Sequence, residues 1–405
     1  MGRKIYLLLA VFGICASCGL EEVGQSQDSS EDVWVGPGNI VSGGGGETGV
    51  GKKIWYAVGV DYPERYDWKT DADEGAVKCS LVVFANGIPM MKVPVGDQYE
   101  VSSDPDMHRM IGDNLYTDYS TESETVIKCN GEQLFRYSGR EMIIEMVEDG
   151  EDVYTLGQSR EGGGFSFRVN GQVLLENKVG YVFPHLQQCE DGFSFAYYET
   201  IGTGSESYER YYHYFAGEVC QIAVREDIKT VWDVIYNEDK VCYLASLVGI
   251  SEPVLVKGDE MNTLMMPASS GIENCRFIPN VNGLNIEGMV HRRRDRSSCC
   301  LWRGNELIKV FPYGYTVAAM CECGEGVSCV LNAPQSASCG IIYKGGVSWD
   351  MPEGFCSMGG RSMIMVDGLL YVGLTGNVGD TPAVWIDNEM KPLKINGFIS
   401  YLSFN

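Results

Sequence analysis

The sequence contains one strongly basic cluster, His291-Arg292-Arg293-Arg294-Asp295-Arg296. Guanidinium groups bind carboxylate, sulfate and phosphate groups through paired hydrogen bonds. The cluster therefore predicts an anion site formed by Arg292, Arg293, Arg294 and Arg296, with a sulfated or uronic-acid glycan or lipid phosphates as ligand. The alternative is a solvated loop whose arginines pair with neighbouring carboxylates.

Two other stretches combine aromatic and polar residues. The acidic stretch Asp61–Gly75 contains Tyr62, Tyr66 and Trp68, and the Ser-, Gly- and Tyr-rich stretch Glu199–Arg210 contains Tyr208. Such rings stack on sugars or anchor a protein partner. We therefore interpret these four aromatic residues, with the four arginines, as candidate ligand-binding residues.

Motifs for catalysis, metals and cofactors are incomplete. Asp71-Ala72-Asp73-Glu74-Gly75 is too short for a D-x-D-x-D-G calcium loop, and Cys321-Glu322-Cys323 lacks the remaining ligands of a zinc site. Gly46–Lys53 has phosphate-loop spacing, but Lys53 stands where Ser or Thr must bind magnesium. No G-x-S-x-G motif occurs either. These patterns predict no enzyme, metal or cofactor.

The elements that position these residues belong to a repeat. Apolar strands end in a two-residue turn about every 43 residues, and alternate strand positions before the turn are apolar. The second turn residue, which needs positive φ, is predicted to be glycine seven times and Asn388 once. The predicted turns are Asn86-Gly87, Asn130-Gly131, Asn170-Gly171, Ala216-Gly217, Lys257-Gly258, Arg303-Gly304, Lys344-Gly345 and Asp387-Asn388.

Each repeat has room for four strands, which is the spacing of a propeller blade. The sequence therefore predicts an all-β protein: an eight-bladed β-propeller of four-stranded antiparallel blades over residues 53–405. The C-terminal strand Ile399–Phe404 is predicted to close the ring by pairing beside Trp55–Gly59. The repeat resembles bacterial surface propellers in which Tyr-bearing strands alternate with strands that end in Asn-Gly turns. This resemblance implies the fold but not the function.

The candidate binding residues occupy the same connection of their repeats, between the first and second strands. Because Asn-Gly turns join the second and third strands, these connections must lie on the opposite face. Loops 60–78, 198–210 and 289–298 are therefore predicted to share one face, which we interpret as the binding face.

The N-terminus has the pattern of an export signal. Arg3 and Lys4 precede the apolar segment Ile5 to Ile14, which predicts a signal peptide over residues 1–17. Cys15-Ala16-Ser17-Cys18 resembles a bacterial lipobox with Cys18 as the lipidated residue, and the following Glu21-Glu22 resembles the surface-export signal of Bacteroidota-type lipoproteins. These resemblances imply a lipid-anchored, outward-facing outer-membrane protein. Residues 18–52 are rich in Gly and Ser and predict a flexible tether.

The formal net charge of −24 makes an unassisted nucleic-acid binder an unfavourable interpretation. The leading hypothesis is a non-catalytic, monomeric cell-surface lipoprotein that binds an acidic glycan or a protein through one loop face. One alternative is a scaffold for outer-membrane assembly, since assembly machinery includes eight-bladed propeller lipoproteins. Another is a polysaccharide lyase or hydrolase that uses carboxylates in the channel.

We expect Cys18→Ser to release the protein from the membrane fraction, because the lipid would have no attachment site. The matched control is Cys15→Ser, which should stay membrane-bound because Ile14 makes Cys15 a poor lipidation site. Immunoblots of membrane and soluble fractions measure the outcome, and equal retention of Cys18→Ser and wild type would refute the anchor.

Overall fold

A computed structural model describes most of the chain after residue 53. The described residues are 54–63, 79–95, 108–121, 123–202, 207–249, 252–268, 270–278, 284–293, 296–323, 326–334, 337, 339–358, 361–376 and 381–404. The predicted signal peptide, Cys18 and the tether lie outside them. Every regular element in the described ranges is a β-strand, as predicted, and none of these ranges contains a helix with the length and hydropathy of a membrane span.

The strands form eight antiparallel sheets, here called blades I to VIII. Blade I contains β33 (Gly397–Phe404), β1 (Trp55–Asp61), β2 (Cys79–Ala85) and β3 (Ile88–Val95). Blade II contains β4 (His108–Ile111), β5 (Asn114–Ser120), β6 (Glu124–Cys129) and β7 (Glu132–Ser138). Blade III contains β8 (Glu141–Asp149), β9 (Asp152–Ser159), β10 (Phe165–Val169) and β11 (Gln172–Asn177). Blade IV contains β12 (Gly180–Val182), β13 (Gln187–Cys189), β14 (Gly192–Ile201), β15 (Tyr208–Phe215) and β16 (Glu218–Gln221).

Blade V contains β17 (Ile228–Asn237), β18 (Lys240–Leu247), β19 (Pro253–Lys257) and β20 (Glu260–Thr263). Blade VI contains β21 (Gly271–Phe277), β22 (Asn285–Arg293), β23 (Arg296–Arg303) and β24 (Glu306–Val310). Blade VII contains β25 (Thr316–Cys323), β26 (Gly326–Asn332), β27 (Ile341–Lys344) and β28 (Val347–Asp350). Blade VIII contains β29 (Met363–Val366), β30 (Leu369–Leu374), β31 (Ala383–Ile386) and β32 (Glu389–Pro392).

The predicted eight-bladed propeller is confirmed, and its ring closes through the C-terminal strand. β33 pairs antiparallel with β1, from Trp55 opposite Phe404 to Asp61 opposite Gly397. The inner strands of several neighbouring blades contact one another, whereas the outer strands are mostly exposed. Blade IV departs from four strands because its inner strand is interrupted around Pro184, and both pieces pair with β14.

Three of the eight predicted turns are wrong by one residue. In these turns the glycine occupies the first turn position and has a φ between +54° and +59°. The prediction considered only the second position, but a type I′ turn needs positive φ at both positions and a type II′ turn needs it at the first. The observed turns are Gly258-Asp259, Gly304-Asn305 and Gly345-Gly346.

Asparagine at the first turn position has a second purpose besides tolerating positive φ. The Asn130 side chain accepts a hydrogen bond at 2.9 Å from the backbone N–H of Leu115, where the neighbouring strand begins. Asn170 does the same for Val153. These bonds satisfy a backbone donor at the sheet end, so the turn and the strand beside it stabilise each other.

The outer strands form the free edges of the sheets, and each has a feature that opposes pairing with another chain. β16, β20, β28 and β32 have four residues each. The longer β3, β7, β11 and β24 each contain a bulge, at Met90, Leu134, Leu174 and Ile308 respectively. Short strands and bulges are recognised defences against edge-to-edge association.

The closure strand is also tied to blade II by a buried histidine. His108 Nε2 hydrogen-bonds Ser400 Oγ, and Ser400 Oγ donates to the Val58 carbonyl oxygen at 3.0 Å. Because the serine proton is used there, His108 must donate through Nε2. Burial, helped by the neighbouring Arg109 charge, lowers the pKa of His108 to about 4.

This histidine predicts a loss of stability in mild acid. The unfolded chain binds the proton near pH 6.5 and the folded protein only near pH 4, so the free energy of unfolding falls as the pH decreases. Between pH 6.5 and 5 we expect a loss of about 2 kcal/mol from this group. His108→Gln, which retains an N–H donor but does not titrate, should lose less over that interval in urea unfolding. If the free energy of unfolding depends on pH in the same way in both proteins, His108 is not the group responsible.

Candidate functional site

The segments predicted as loops of the binding face lie at one face of the ring, but 198–210 and 289–298 consist largely of paired strand ends. Strands are counted here from the inner edge of each sheet, so the first strand of a repeat is the second strand of its sheet. In these terms, each loop joins the second strand to the third, in blades I, IV and VI. We call this face the loop face, and the face that carries the two-residue turns the turn face. Tyr66, Trp68 and Arg294 lie outside the described residues.

Among the described strands, two hairpins have longer paired segments on the loop face than the others. The blade IV hairpin (β14–β15) and the blade VI hairpin (β22–β23) each contain eight paired positions, whereas the equivalent pairs of the other blades have four to six. Three extra residues correspond to about 10 Å of strand. Blade V lies between the two hairpins and has five pairs, so both hairpins extend beyond its paired strands on this face; we call the space between them the cleft.

Tyr208 lies at the end of the blade IV hairpin, opposite Ile201, and is 50% exposed. Arg210 Nη2 donates to the Tyr208 hydroxyl at 2.7 Å, and its guanidinium lies 5.4 Å from the centre of the ring. The ring is therefore held in place while half of its surface faces solvent.

Arg210 is directly opposite Glu199 in the hairpin. Glu199 Oε1 accepts a hydrogen bond of 2.5 Å from Asn177 of blade III, which places this side of the hairpin above that blade. Beneath the charged pair, the rings of Tyr197 and Tyr212 stack at 5.0 Å. The neighbouring β9–β10 connection ends in Gly162, Gly163 and Gly164, all with positive φ.

The other side of the blade IV hairpin faces blade V. Tyr198 packs between Tyr181 and Tyr211 in a ladder across three strands, with ring centres 5.5 and 6.0 Å apart. The Tyr211 hydroxyl donates to Glu209. Burial and the Glu209 charge raise the pKa of Tyr198 to about 12, so its hydroxyl is neutral at physiological pH.

The blade VI hairpin contains the basic cluster. Arg292 and Arg293 end β22, and Arg296 begins β23. At their base, His291 Nε2 lies 3.2 Å from Glu273 Oε2, and His291 Nδ1 lies 2.8 Å from Ser297 Oγ. The carboxylate favours the Nε2–H tautomer, so Ser297 donates to Nδ1 and the ring orientation is fixed.

Tyr62 lies away from these hairpins, at the ring closure. Its backbone N–H bonds the Asn396 carbonyl oxygen at 2.8 Å, and its ring lies 6.5 Å from that of Phe398. The side chain is only partly exposed, and it packs beside the buried cluster between blades I and II. Tyr62 and Tyr208 are therefore not brought together by the fold.

The turn face carries many carboxylates. The sequence repeat did not reveal this cluster, because the fold gathers these residues from turns of different blades. Lys240, Lys257, Arg303 and Lys344 are the basic residues that flank described two-residue turns. An anionic ligand is therefore repelled from this face. The acidic residues at the turns are Asp113, Glu132, Glu151, Asp152, Glu190, Asp191, Glu218, Glu238, Asp239, Asp259, Glu260, Glu306, Asp367, Asp387 and Glu389.

An ion network joins distant blades at the inner strands. Arg109 is buried and donates to the Ile143 and Ile144 carbonyl oxygens at 3.0 and 3.1 Å. Its guanidinium lies 3.7 Å from Glu145, whose other oxygen pairs with Arg361 at 2.5 Å. Burial alone would raise the pKa of Glu145, but the Arg361 and Arg109 charges hold it below its usual value. An ionised carboxylate of this kind is a poor general acid.

A second buried pair joins blades IV, V and VI. His185 Nε2 lies 2.8 Å from Asp233 Oδ2, and the same oxygen accepts the Phe277 N–H at 2.8 Å. Asp233 Oδ1 accepts the Val234 N–H at 2.9 Å. These bonds satisfy backbone groups of adjacent blades, which is a structural role. In the part of the chain that the structure describes, no group of three or more His, Cys, Asp or Glu side chains could hold a metal ion.

Comparisons with known proteins extend no further than the fold. No family model matches the chain, and no curated protein matches its sequence. Similar solved structures include the β-propeller domain of the Trilobed protease from Pyrococcus furiosus (8% identity, TM-score 0.45, 73% of this chain and 91% of that one). Another is the Pyrococcus horikoshii acylaminoacyl peptidase (10% identity, TM-score 0.44, 80% of this chain and 56% of that one).

A puromycin-hydrolyzing peptidase from Mycobacterium tuberculosis is also similar (8% identity, TM-score 0.41, 72% of this chain and 53% of that one). The chain thus spans only about half the length of the two whole peptidases. At these identities the likeness concerns the propeller alone.

The ion network predicts a non-additive response to substitution. Arg361→Met should lower the free energy of unfolding by about 1–3 kcal/mol, because Glu145 loses one of its two cationic partners. Adding Glu145→Gln should restore part of that loss, since the remaining group no longer carries a charge. Urea unfolding of both single variants and the double variant measures the coupling. If Arg361→Met leaves the free energy of unfolding unchanged, or if the losses of the two single variants simply add in the double variant, the pair contributes nothing to stability.

Proposed function

We propose that the protein is a non-catalytic, lipid-anchored surface protein that binds a glycan or protein ligand through its loop face. The observation that carries this proposal is the pair of tall hairpins on blades IV and VI. Loops that extend from a rigid scaffold, while the neighbouring blades stay short, are the usual position of binding residues. The signal peptide and lipidation at Cys18 supply the anchoring part of the proposal.

The cleft above blade V offers both apolar and polar contacts. Val248 at its base is 66% exposed, and its N–H bonds the Asp227 carbonyl oxygen at 2.8 Å. Arg225 makes two hydrogen bonds to the Asp227 carboxylate, at 2.8 and 3.0 Å. On the wall formed by blade IV, the exposed Glu209 provides acceptor oxygens and the partly buried Tyr198 provides part of a ring. An exposed aliphatic residue beside ordered polar groups fits a ligand with mixed surface chemistry.

The positive charge of the blade VI hairpin, on the other side of the cleft, supports an anionic ligand there. The blade VI hairpin holds Arg292, Arg293 and Arg296 at strand ends on the loop face. Positions 292–296 hold four arginines and one carboxylate, so the cluster is locally basic in an acidic protein and attracts an acidic group. The free outer edges, all short or bulged, support a monomer.

The test replaces Arg292, Arg293, Arg294 and Arg296 together with Ser. Binding to chondroitin sulfate, polygalacturonate or anionic phospholipid vesicles should weaken at least tenfold, because charge-assisted hydrogen bonds are lost. Wild-type binding should also weaken as salt rises, since exposed charges are screened within about 10 Å at 0.1 M.

A matched control removes the same charge elsewhere, through Ser substitutions of the exposed Arg136, Lys229, Lys240 and Lys394. This control should keep most of the affinity. Titration at two salt concentrations and thermal melting are measured for each protein. Equal loss in both variants would indicate a non-specific charge effect, and unchanged binding of the hairpin variant would exclude the arginines from the site.

A further inference from the structure

We infer that the side of the blade IV hairpin above blade III is a binding site for an uncharged pyranose ring. We call this surface the shelf and define it by Tyr208, Arg210, Glu199 and the Gly162–Gly164 connection. The inference rests on the proposed ligand-binding loop face, but it names a different surface from the cleft and a definite ligand class.

The shelf exists because two adjacent hairpins differ in height. Blade IV pairs as far as Ile201 opposite Tyr208, whereas blade III stops at Phe165 opposite Gln158. The difference of three paired positions corresponds to about 10 Å, which is the length of about two sugar rings. The two blades pack against each other directly below, where Phe165 and Tyr197 have ring centres 4.7 Å apart.

The three glycines at the base of the shelf carry no side chains, and the Gly164 end is covered by the backbone of Asn177 and Lys178. Gly162 and Gly163 have φ values of +102° and +112°, which L-residues rarely adopt. A Cβ atom added to Gly162 would have no neighbour within 4 Å, so the space above it is open. A Cβ atom on Gly163 would lie 3.5 Å from the Tyr181 hydroxyl.

The wall presents an aromatic ring that is already ordered. Tyr208 is half exposed, and Arg210 holds it through the 2.7 Å hydrogen bond to its hydroxyl. A ring fixed before binding loses little conformational entropy when a ligand stacks on it. The C–H face of a pyranose is apolar and matches the exposed ring in size.

Below the ring, planar donors and acceptors lie side by side. Arg210 and Glu199 face each other across the hairpin, and Asn177 holds Glu199 through Oε1 at 2.5 Å. A guanidinium donates and a carboxylate accepts, which suits adjacent sugar hydroxyl groups that do both. The two formal charges cancel locally, so the pair favours neither an acidic nor a basic ring. An uncharged pyranose therefore satisfies this surface best.

The test uses four neutral hexasaccharides as probes: maltohexaose, cellohexaose, mannohexaose and xylohexaose. Saturation-transfer NMR should show binding of at least one of them to the wild-type protein. Tyr208→Ala should then weaken its affinity at least tenfold, whereas Tyr208→Phe, which keeps the ring, should stay within about threefold. Arg210→Met, which keeps the stem but removes the donors, should weaken binding at least fivefold.

The control is Tyr313→Ala, because Tyr313 is also 50% exposed but follows β24 in blade VI. It should keep wild-type affinity. Binding that survives Tyr208→Ala, equal loss in Tyr313→Ala, or no binding of any probe would each overturn the shelf assignment. These outcomes leave the proposed function standing if the arginine substitutions weaken the acidic probes, so the two can fail separately.

Discussion

The pairing of β33 with β1 is the constraint on which the rest of the molecule depends. It joins the last strand to the first sheet and leaves no terminal blade with an open inner edge. Gly397 must be glycine at this closure, because a Cβ atom there would overlap the Val60 carbonyl oxygen. Asn396 and Tyr62 add backbone bonds beside it. Once the ring is closed, antiparallel order assigns every second-to-third strand connection of the sheets to the loop face.

The repeat could be predicted from sequence because its signals are local. A turn with positive φ and an alternating strand before it are visible within about ten residues, so the number of blades and the closing strand were correct. The turns at Gly258, Gly304 and Gly345 were misplaced by one residue because a single glycine fits either turn position. The interruption of the inner strand at Pro184 of blade IV had no equivalent in the other repeats from which to predict it.

The candidate site was less predictable from sequence because its contacts join residues that are distant in the chain. The sequence identified the Tyr208 stretch and the arginine cluster, but not the opposition of Arg210 and Glu199, which depends on the register of two strands joined by a loop. The pairing of Arg361 with Glu145 joins residues 216 apart. No periodicity signals such a pair. Tyr62 was grouped with Tyr208 by residue type, whereas the fold places it at the ring closure.

Bulges in the inner and outer strands have opposite consequences. In the inner strands β8 and β17 the bulge precedes Glu145 and Asp233, and each carboxylate accepts the next backbone N–H. These side chains then bind residues of other blades and hold the ring together. In the outer strands the bulge disturbs a free edge and discourages association. The hairpins of blades IV and VI join the second and third strands, which lie between the inner and outer strands of the sheet. These hairpins can therefore lengthen without disturbing the contacts of the inner strands or the free edge of the outer strands. This freedom explains how a single hairpin can lengthen on the loop face while the ring that supports it stays unchanged.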